Sequence, residues 1–493
     1  MVNMEWVQRI KAFGARRPAL LAVVIILIVY LLYLPTSGYE RLYFDSEEYW
    51  TIAKQYYLGG DFSFLSYFTF LRGYFFPLFL APLTQFSAAN GFSPLAVTQV
   101  QGACVAALVF GWCGSALWQA VRGGAAPSLG RRLVFAGLGF VVWRDYFNFC
   151  LTDFLALLAL GISLMALLRG QGVRSALVAG IALAAAANMR PVYQLAVPTV
   201  AVLALLLVAG GTQRSGLVRG GALVLGAAFI LLPQTYSNHH HAGITSPWVQ
   251  THKPGEPNLC LNQLGWGSFM QKYETTVGSD YSESGMRFID GRGLLLLKST
   301  GQLNFTEASQ YVRLCLAQPG PVAGVWLRHL FNGLDVQYPT PYIKQVYVTT
   351  WPLAWLNYTI IWGELLILVS HCWARLSAHW LRPGLVVLAL LVPCMATSST
   401  AMKCRFLLAL HLLFAGTVAF GVKPLQWWRA ASGRWRTGVV LIYAAFVVAG
   451  FAALAGAQLS LGRTPRQIDT PLDFLNDVEL NGLLIPSQPP EPW

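Results

Sequence analysis

The 493-residue chain is 55% hydrophobic and only 11% charged, with a mean hydropathy of +0.51 and a formal net charge of +13. So little charge excludes a soluble globular protein, because lipid must be the solvent for most of the surface. A nucleic-acid binder is excluded as well: the basic residues are dispersed, and no loop presents a basic face.

Eleven apolar segments come close to the roughly 20 residues that a membrane span needs. They are 18–36, 94–121, 133–149, 151–168, 175–188, 191–210, 217–234, 351–373, 384–400, 405–422 and 437–459. The predicted fold class is therefore an all-α polytopic membrane protein with about eleven transmembrane helices. Residues 1–17 form a cytoplasmic N-terminus, and the first span, with no small-residue cleavage site after it, reads as an uncleaved anchor. An N-terminal membrane module follows over 18–234, including an outer loop at 37–89. A large outer segment at 235–350, C-terminal membrane helices at 351–459 and an acidic, Pro-rich outer tail at 460–493 complete the chain.

Orientation follows from the basic residues, which stay on the cytoplasmic side. With the N-terminus inside and 74–89 a helix that does not cross, the cytoplasmic segments hold 17 of the 34 Lys and Arg residues, including Arg122, Arg131, Arg132 and Arg169. They hold one acid, Glu5. If 74–89 crossed, Arg122, Arg131 and Arg132 would be exported.

The outer loop carries the densest charge in the chain, Asp45-Ser46-Glu47-Glu48. Residues 45–58 read as a short helix on the membrane surface, with Tyr49, Trp50, Tyr56 and Tyr57 at headgroup level. On that helix Asp45 and Glu48 share a face and Glu47 is rotated away. The large outer segment reads as a folded, loop-rich cap with helices at 306–317 and 322–334 around Pro319-Gly320-Pro321. Cys260 and Cys315 lie in it, either bridged or free.

Other ionisable residues gather at the same face. Arg144 and Asp145 end the third span, Asp153 opens the fourth, Arg190 sits between the fifth and sixth, and Lys403 and Arg405 open the tenth. A helix N-cap would also explain Asp153, and snorkelling cations at span ends would also explain Arg190, Lys403 and Arg405. Glu364, in mid-span, has no assigned role. His239-His240-His241 is read as a surface run, because three adjacent histidines do not readily ligate one ion. No metal site is assigned, although three acids near Asp45 permit a divalent ion.

The runs Asp45-Ser46-Glu47-Glu48-Tyr49 and Arg72-Gly73-Tyr74-Phe75-Phe76-Pro77 resemble the first outer loop of GT-C glycosyltransferases. These are the polyprenyl-phosphate-sugar enzymes related to protein O-mannosyltransferases and lipid A aminoarabinose transferases. Leu151-Thr152-Asp153-Phe154, Asn188-Met189-Arg190-Pro191 and Lys403-Cys404-Arg405-Phe406, with His411 beyond, are similar to that superfamily in order and spacing. The resemblance covers roughly 18–232 and the tenth span, and it leaves the large outer segment and the tail unmatched.

It implies transfer of a sugar from a polyprenyl-phosphate donor to a hydroxyl of a glycan, lipid or protein acceptor, with inversion and without a required cofactor. Asp45 would be the base, with Glu48 and Asp153 as further catalytic acids. Glu47, Arg72, Arg190, Lys403, Arg405 and His411 would contact substrate. The expected location is a bacterial inner membrane with the site facing the periplasm. A lipid-linked glycan polymerase or ligase is the rival enzyme and would rely on Arg292, Arg313, Arg328 and His329; a sugar-lipid transporter is the non-enzymatic rival.

Overall fold

The structure, a computed structural model, describes residues 17–461 apart from 171, 209–212, 251–257, 282, 301–304, 373–380, 422–428 and 430–431. The N-terminal segment 1–16, the tail from 462, and Lys253, Glu256, Asn304, Arg375 and Lys423 lie outside the described residues. Among the described residues the protein is an all-α membrane protein with one small sheet, and each of the eleven apolar segments is mainly helical. Among those residues, seven helical stretches are long and apolar enough to cross a bilayer: Pro18–Thr36, Pro94–Arg122, Thr152–Arg169, Gly216–Ala242, Leu381–Ser399, Cys404–Gly421 and Gly433–Leu459.

The chain divides into two compact units. The first comprises Met1–Gln250, Leu366–Pro393 and Leu412–Val422. Its helices are α1 (Pro18–Tyr33), α2 (Phe44–Ala53), α3 (Phe75–Asn90), α4 (Pro94–Arg122), α5 (Leu129–Trp143), α6 (Thr152–Arg169), α7 (Val173–Met189), α8 (Val197–Val208) and α9 (Gln213–Ala242). Proline opens α1 and α4 at positions where the missing N–H costs nothing, and the Ser93 side chain caps α4 by accepting from the Ala96 amide.

Small residues let these helices approach. A Cβ at Gly180 of α7 would fall on the Leu223 carbonyl of α9, and one at Gly226 of α9 would fall on the Leu177 carbonyl of α7. Within lipid no hydrophobic gain drives helices together, so this reciprocal backbone contact, with its dispersion energy, is what holds the pair. Gly111 does the same against Val23 of α1, from within a π-helical stretch of α4, Ala107–Cys113.

The second unit comprises Thr251–Leu365, Cys394–His411 and Lys423–Trp493. In the segment 235–350 the two expected helices are present as α12 (Ala308–Ala317) and α13 (Pro319–Leu334), and two further helices, α10 (Leu259–Phe269) and α11 (Gly291–Thr300), stand where loops were expected. The segment also holds an antiparallel pair, β1 (Met270–Thr275) and β2 (Gly285–Ile289). Phe269, Leu294, Leu297, Phe305, Leu314 and Val325 form its core, enough apolar surface to order the segment despite its glycines and prolines. The second unit also takes in membrane helices expected to belong with the others. Tyr358, of α14 (Trp351–Cys372), donates to Asp335 Oδ1 at 2.8 Å and packs closely on Gly450 of the Gly433–Leu459 helix. Cys260 and Cys315 are both free thiols.

Replacing Gly180 or Gly226 with leucine forces the α7–α9 backbones apart. It is expected to lower unfolding stability in detergent by on the order of 1–3 kcal/mol. Gly220→Ala, in open space on α9, leaves the unfolding midpoint near that of wild type.

Candidate functional site

The candidate site belongs to the first unit and grows from α2. Phe44 at its start has φ of +43°, a left-handed backbone that a bulky side chain adopts only when its surroundings impose it. Asp45 and Glu47 lie in the first turn, where a carboxylate is favoured by the helix dipole. Ser46 is fully buried, and its carbonyl accepts from the Cys150 thiol at 3.1 Å, fixing α2 beside the start of α6.

Arg72 organises the acids. Its Nη2 lies 3.0 Å from Asp45 Oδ1 and 2.8 Å from Glu48 Oε2, while Nε approaches Glu48 Oε1 at 3.5 Å. Asp45 and Glu48 therefore share a helix face, as their spacing requires, and Glu47 points to solvent. The guanidinium also lies over the Tyr49 ring at 4.9 Å. Burial alone would pull the Arg72 guanidinium down; Tyr49 and the carboxylates of Glu48 and Asp45 outweigh it and hold it above its ordinary value. With its side chain 27% exposed, this arginine is desolvated enough to matter and open enough to be reached.

The loop presenting Arg72 is built from buried tyrosines. Tyr56 and Tyr67 stack at 4.9 Å; Tyr56 donates to the Tyr74 carbonyl at 3.0 Å and Tyr67 to the Arg72 carbonyl at 3.1 Å. Desolvation raises the phenol pKa of both. This corrects the expectation of a headgroup belt: Tyr49, Trp50 and Tyr56 are buried inside the protein, because the loop needs them as its core. These three rings are therefore not open surfaces for stacking on sugar.

A second pair completes the site. Asp153, in the first turn of α6, is 3% exposed and ion-paired to Arg190 just after α7, whose side chain is 17% exposed. The two pairs are linked through the backbone. Gly73, next to Arg72, sits where a Cβ would collide with Asn188, two residues before Arg190. Asn188 Oδ1 accepts the Phe75 amide at 3.0 Å, and its Nδ2 donates to Gln234 Oε1 at 2.9 Å. Gln234 in turn donates to Asn238 Oδ1 at 2.9 Å. The Asp45–Glu48–Arg72 set and the Asp153–Arg190 pair are thus linked by the close approach of Gly73 to Asn188.

The remaining expected residues have partners of their own. Arg144 donates to the Tyr33 hydroxyl at 2.9 Å, and that hydroxyl donates to Asp145 at 2.8 Å, a separate set within the first unit. Lys403, Arg405 and His411 belong to the second unit. Lys403 Nζ is buried 2.7 Å from Thr275 Oγ1 and 3.8 Å from the Tyr273 ring centroid. Arg405 lies in a 3-10 turn, Cys404–Leu407, and buried His411 donates to the Gly333 carbonyl at 2.9 Å. The histidine run ends α9, with His241 stacked on Phe68 at 4.5 Å. Among the described residues no three His, Cys, Asp or Glu side chains are grouped as a metal site.

Sequence reading missed the roles of Tyr49, Tyr67, Gln234 and Asn238. Gln234 and Asn238 carried a usable signal, two amides four residues apart on one face of an apolar helix. Comparison with protein-family models, curated proteins and solved structures finds no match to this chain.

Arg190→Met, which leaves Asp153 buried without its cation, is expected to cost about 3–5 kcal/mol in thermal unfolding. The double variant Asp153→Asn with Arg190→Met recovers much of that loss, because no buried charge is left over.

Proposed function

We propose that the protein is an integral-membrane glycosyltransferase of GT-C type, moving a sugar from a polyprenyl-phosphate donor to an acceptor hydroxyl. The observation that carries this reading is the Asp45–Glu48–Arg72 cluster joined to the Asp153–Arg190 pair. It supplies proton acceptors and fixed cations together at one end of an apolar bundle. In this reading eleven helices cross the membrane, the N-terminus is cytoplasmic, and the cluster faces the periplasm of a bacterial inner membrane.

The chemistry needs few parts. An acceptor hydroxyl must lose a proton as it attacks the anomeric carbon, and Asp45 receives it. Glu48 shares Arg72 with Asp45, so it sets the position of that guanidinium. The departing lipid phosphate is a stable anion that needs donors and not an acid, a role for Arg190 and Arg72. Asp153 holds Arg190 in place. In-line attack then inverts the anomeric centre. The donor lipid stays in the bilayer, and the acceptor is a glycan, lipid or protein.

Of the residues that a polymerase or ligase would rely on, Arg328 is engaged by Asp290 at 2.7 Å and His329 is fully buried between the carbonyls of Ser398 and Met270, while Arg292 and Arg313 are exposed.

In proteoliposomes with radiolabelled polyprenyl-phosphate sugars, Asp45→Asn is expected to lower kcat about 10²–10⁴-fold while donor binding persists. Glu47→Gln, altering only a solvent-facing acid, stays within about twofold of wild type. Equal transfer by wild type and Asp45→Asn would make Asp45 a structural partner of Arg72 and nothing more.

A further inference from the structure

Within the first unit, a cavity of about 410 Å³ lies at the opposite end of α6 from the acidic cluster. Asp153 is in the first turn of that helix and Arg169 in the last, roughly 24 Å apart by helix rise. Three arginines line the cavity: Arg17 ahead of α1, Arg132 in α5 and Arg169, with Gln119 and Trp112 of α4 beside them.

Among the described residues, none that lines the cavity is acidic. No Asp or Glu occurs between Asp61 and Asp145 or between Asp153 and Glu256, the stretches that supply every wall beyond α1. Two of these guanidiniums are held by neutral acceptors. Buried Arg132 donates from Nε to the Pro127 carbonyl and from Nη1 to the Gly111 carbonyl, each at 3.0 Å, and also from Nη1 to Ser115 Oγ. Arg169 Nη2 donates to the Ala116 carbonyl at 2.7 Å and to Gln119 Oε1 at 2.9 Å. These acceptors orient the cations without neutralising them, which leaves a cavity with a strong preference for an anion.

The wall also indicates where that anion comes from. Leu20, in the cavity, is 45% exposed, and Val24 and Ile28 follow at i+4 steps with 43% and 50% exposure. They form an apolar stripe running from the cavity along the outside of α1. A soluble phosphate would have no use for such a stripe, whereas an acyl chain would lie along it. Basic pockets between membrane helices favour anionic headgroups over neutral ones.

We propose that this cavity binds the phosphate of an anionic phospholipid, with an acyl chain on Leu20, Val24 and Ile28. The site is separate from the acidic cluster, and its test does not depend on transferase activity. The full-length protein, delipidated in neutral detergent, is titrated with phosphatidylglycerol and with phosphatidylcholine, and retained lipid is read by native mass spectrometry.

Wild type is expected to prefer phosphatidylglycerol by about tenfold or more. Each arginine removed weakens that binding roughly five-fold, in R17Q and again in R17Q/R169Q. Arg17 is exposed, so R17Q reads the site even if loss of Arg169 harms folding. Equal retention of the two lipids, or equal binding by wild type and R17Q, would overturn the proposal. Displacement of the lipid by millimolar inorganic phosphate would overturn its lipid part and leave a soluble-phosphate site.

Discussion

A single guanidinium, Arg72, has to satisfy two carboxylates and an aromatic ring from α2, the helix before its loop. Half-buried charge is costly unless paired, so the loop after α2 must close back on that helix for Arg72 to reach Asp45 and Glu48. Much of the loop's construction follows from that demand. Tyr56 and Tyr67 stack beneath it, their hydroxyls hold the carbonyls of Tyr74 and Arg72, and Gly73 lets the backbone touch Asn188.

The sequence reading recovered the membrane helices, the short helix over the acids, and the shared face of Asp45 and Glu48. Each depends on local periodicity, which the chain displays directly. It also singled out Asp153 and Arg190, although not that they pair with each other, since that contact spans 37 positions between two helix ends. The aromatic residues misled it. Tyr49, Trp50 and Tyr56 have the composition of an interfacial belt, and only their tertiary contacts reveal a buried core. In the segment 235–350 it found α12 and α13 but missed α10 and α11, whose glycines suggested loops while long-range packing around Phe269 and Leu297 orders them as helices.

Charge is segregated along the first unit. Asp153 stands at the N-terminal end of α6, where the helix dipole favours an anion, and Arg169 at the C-terminal end, where it favours a cation. Carboxylates thus stand near one end of α6, and at the cavity near its other end Arg132 and Arg169 donate, among the described residues, to neutral acceptors. A transferase working on lipid-linked substrates would draw on both ends, reacting at one and anchored by lipid at the other.

The central claim is that the Arg72–Arg190 cluster receives a sugar phosphate. The most direct measurement is an electron cryomicroscopy map of the full-length protein with a non-cleavable polyprenyl-phosphonate sugar. The account predicts phosphonate density within hydrogen-bond distance of Arg190 or Arg72, with the anomeric carbon beside Asp45. Analogue density elsewhere, with Arg72 still engaged by both carboxylates, would contradict it and leave the cluster a structural clasp.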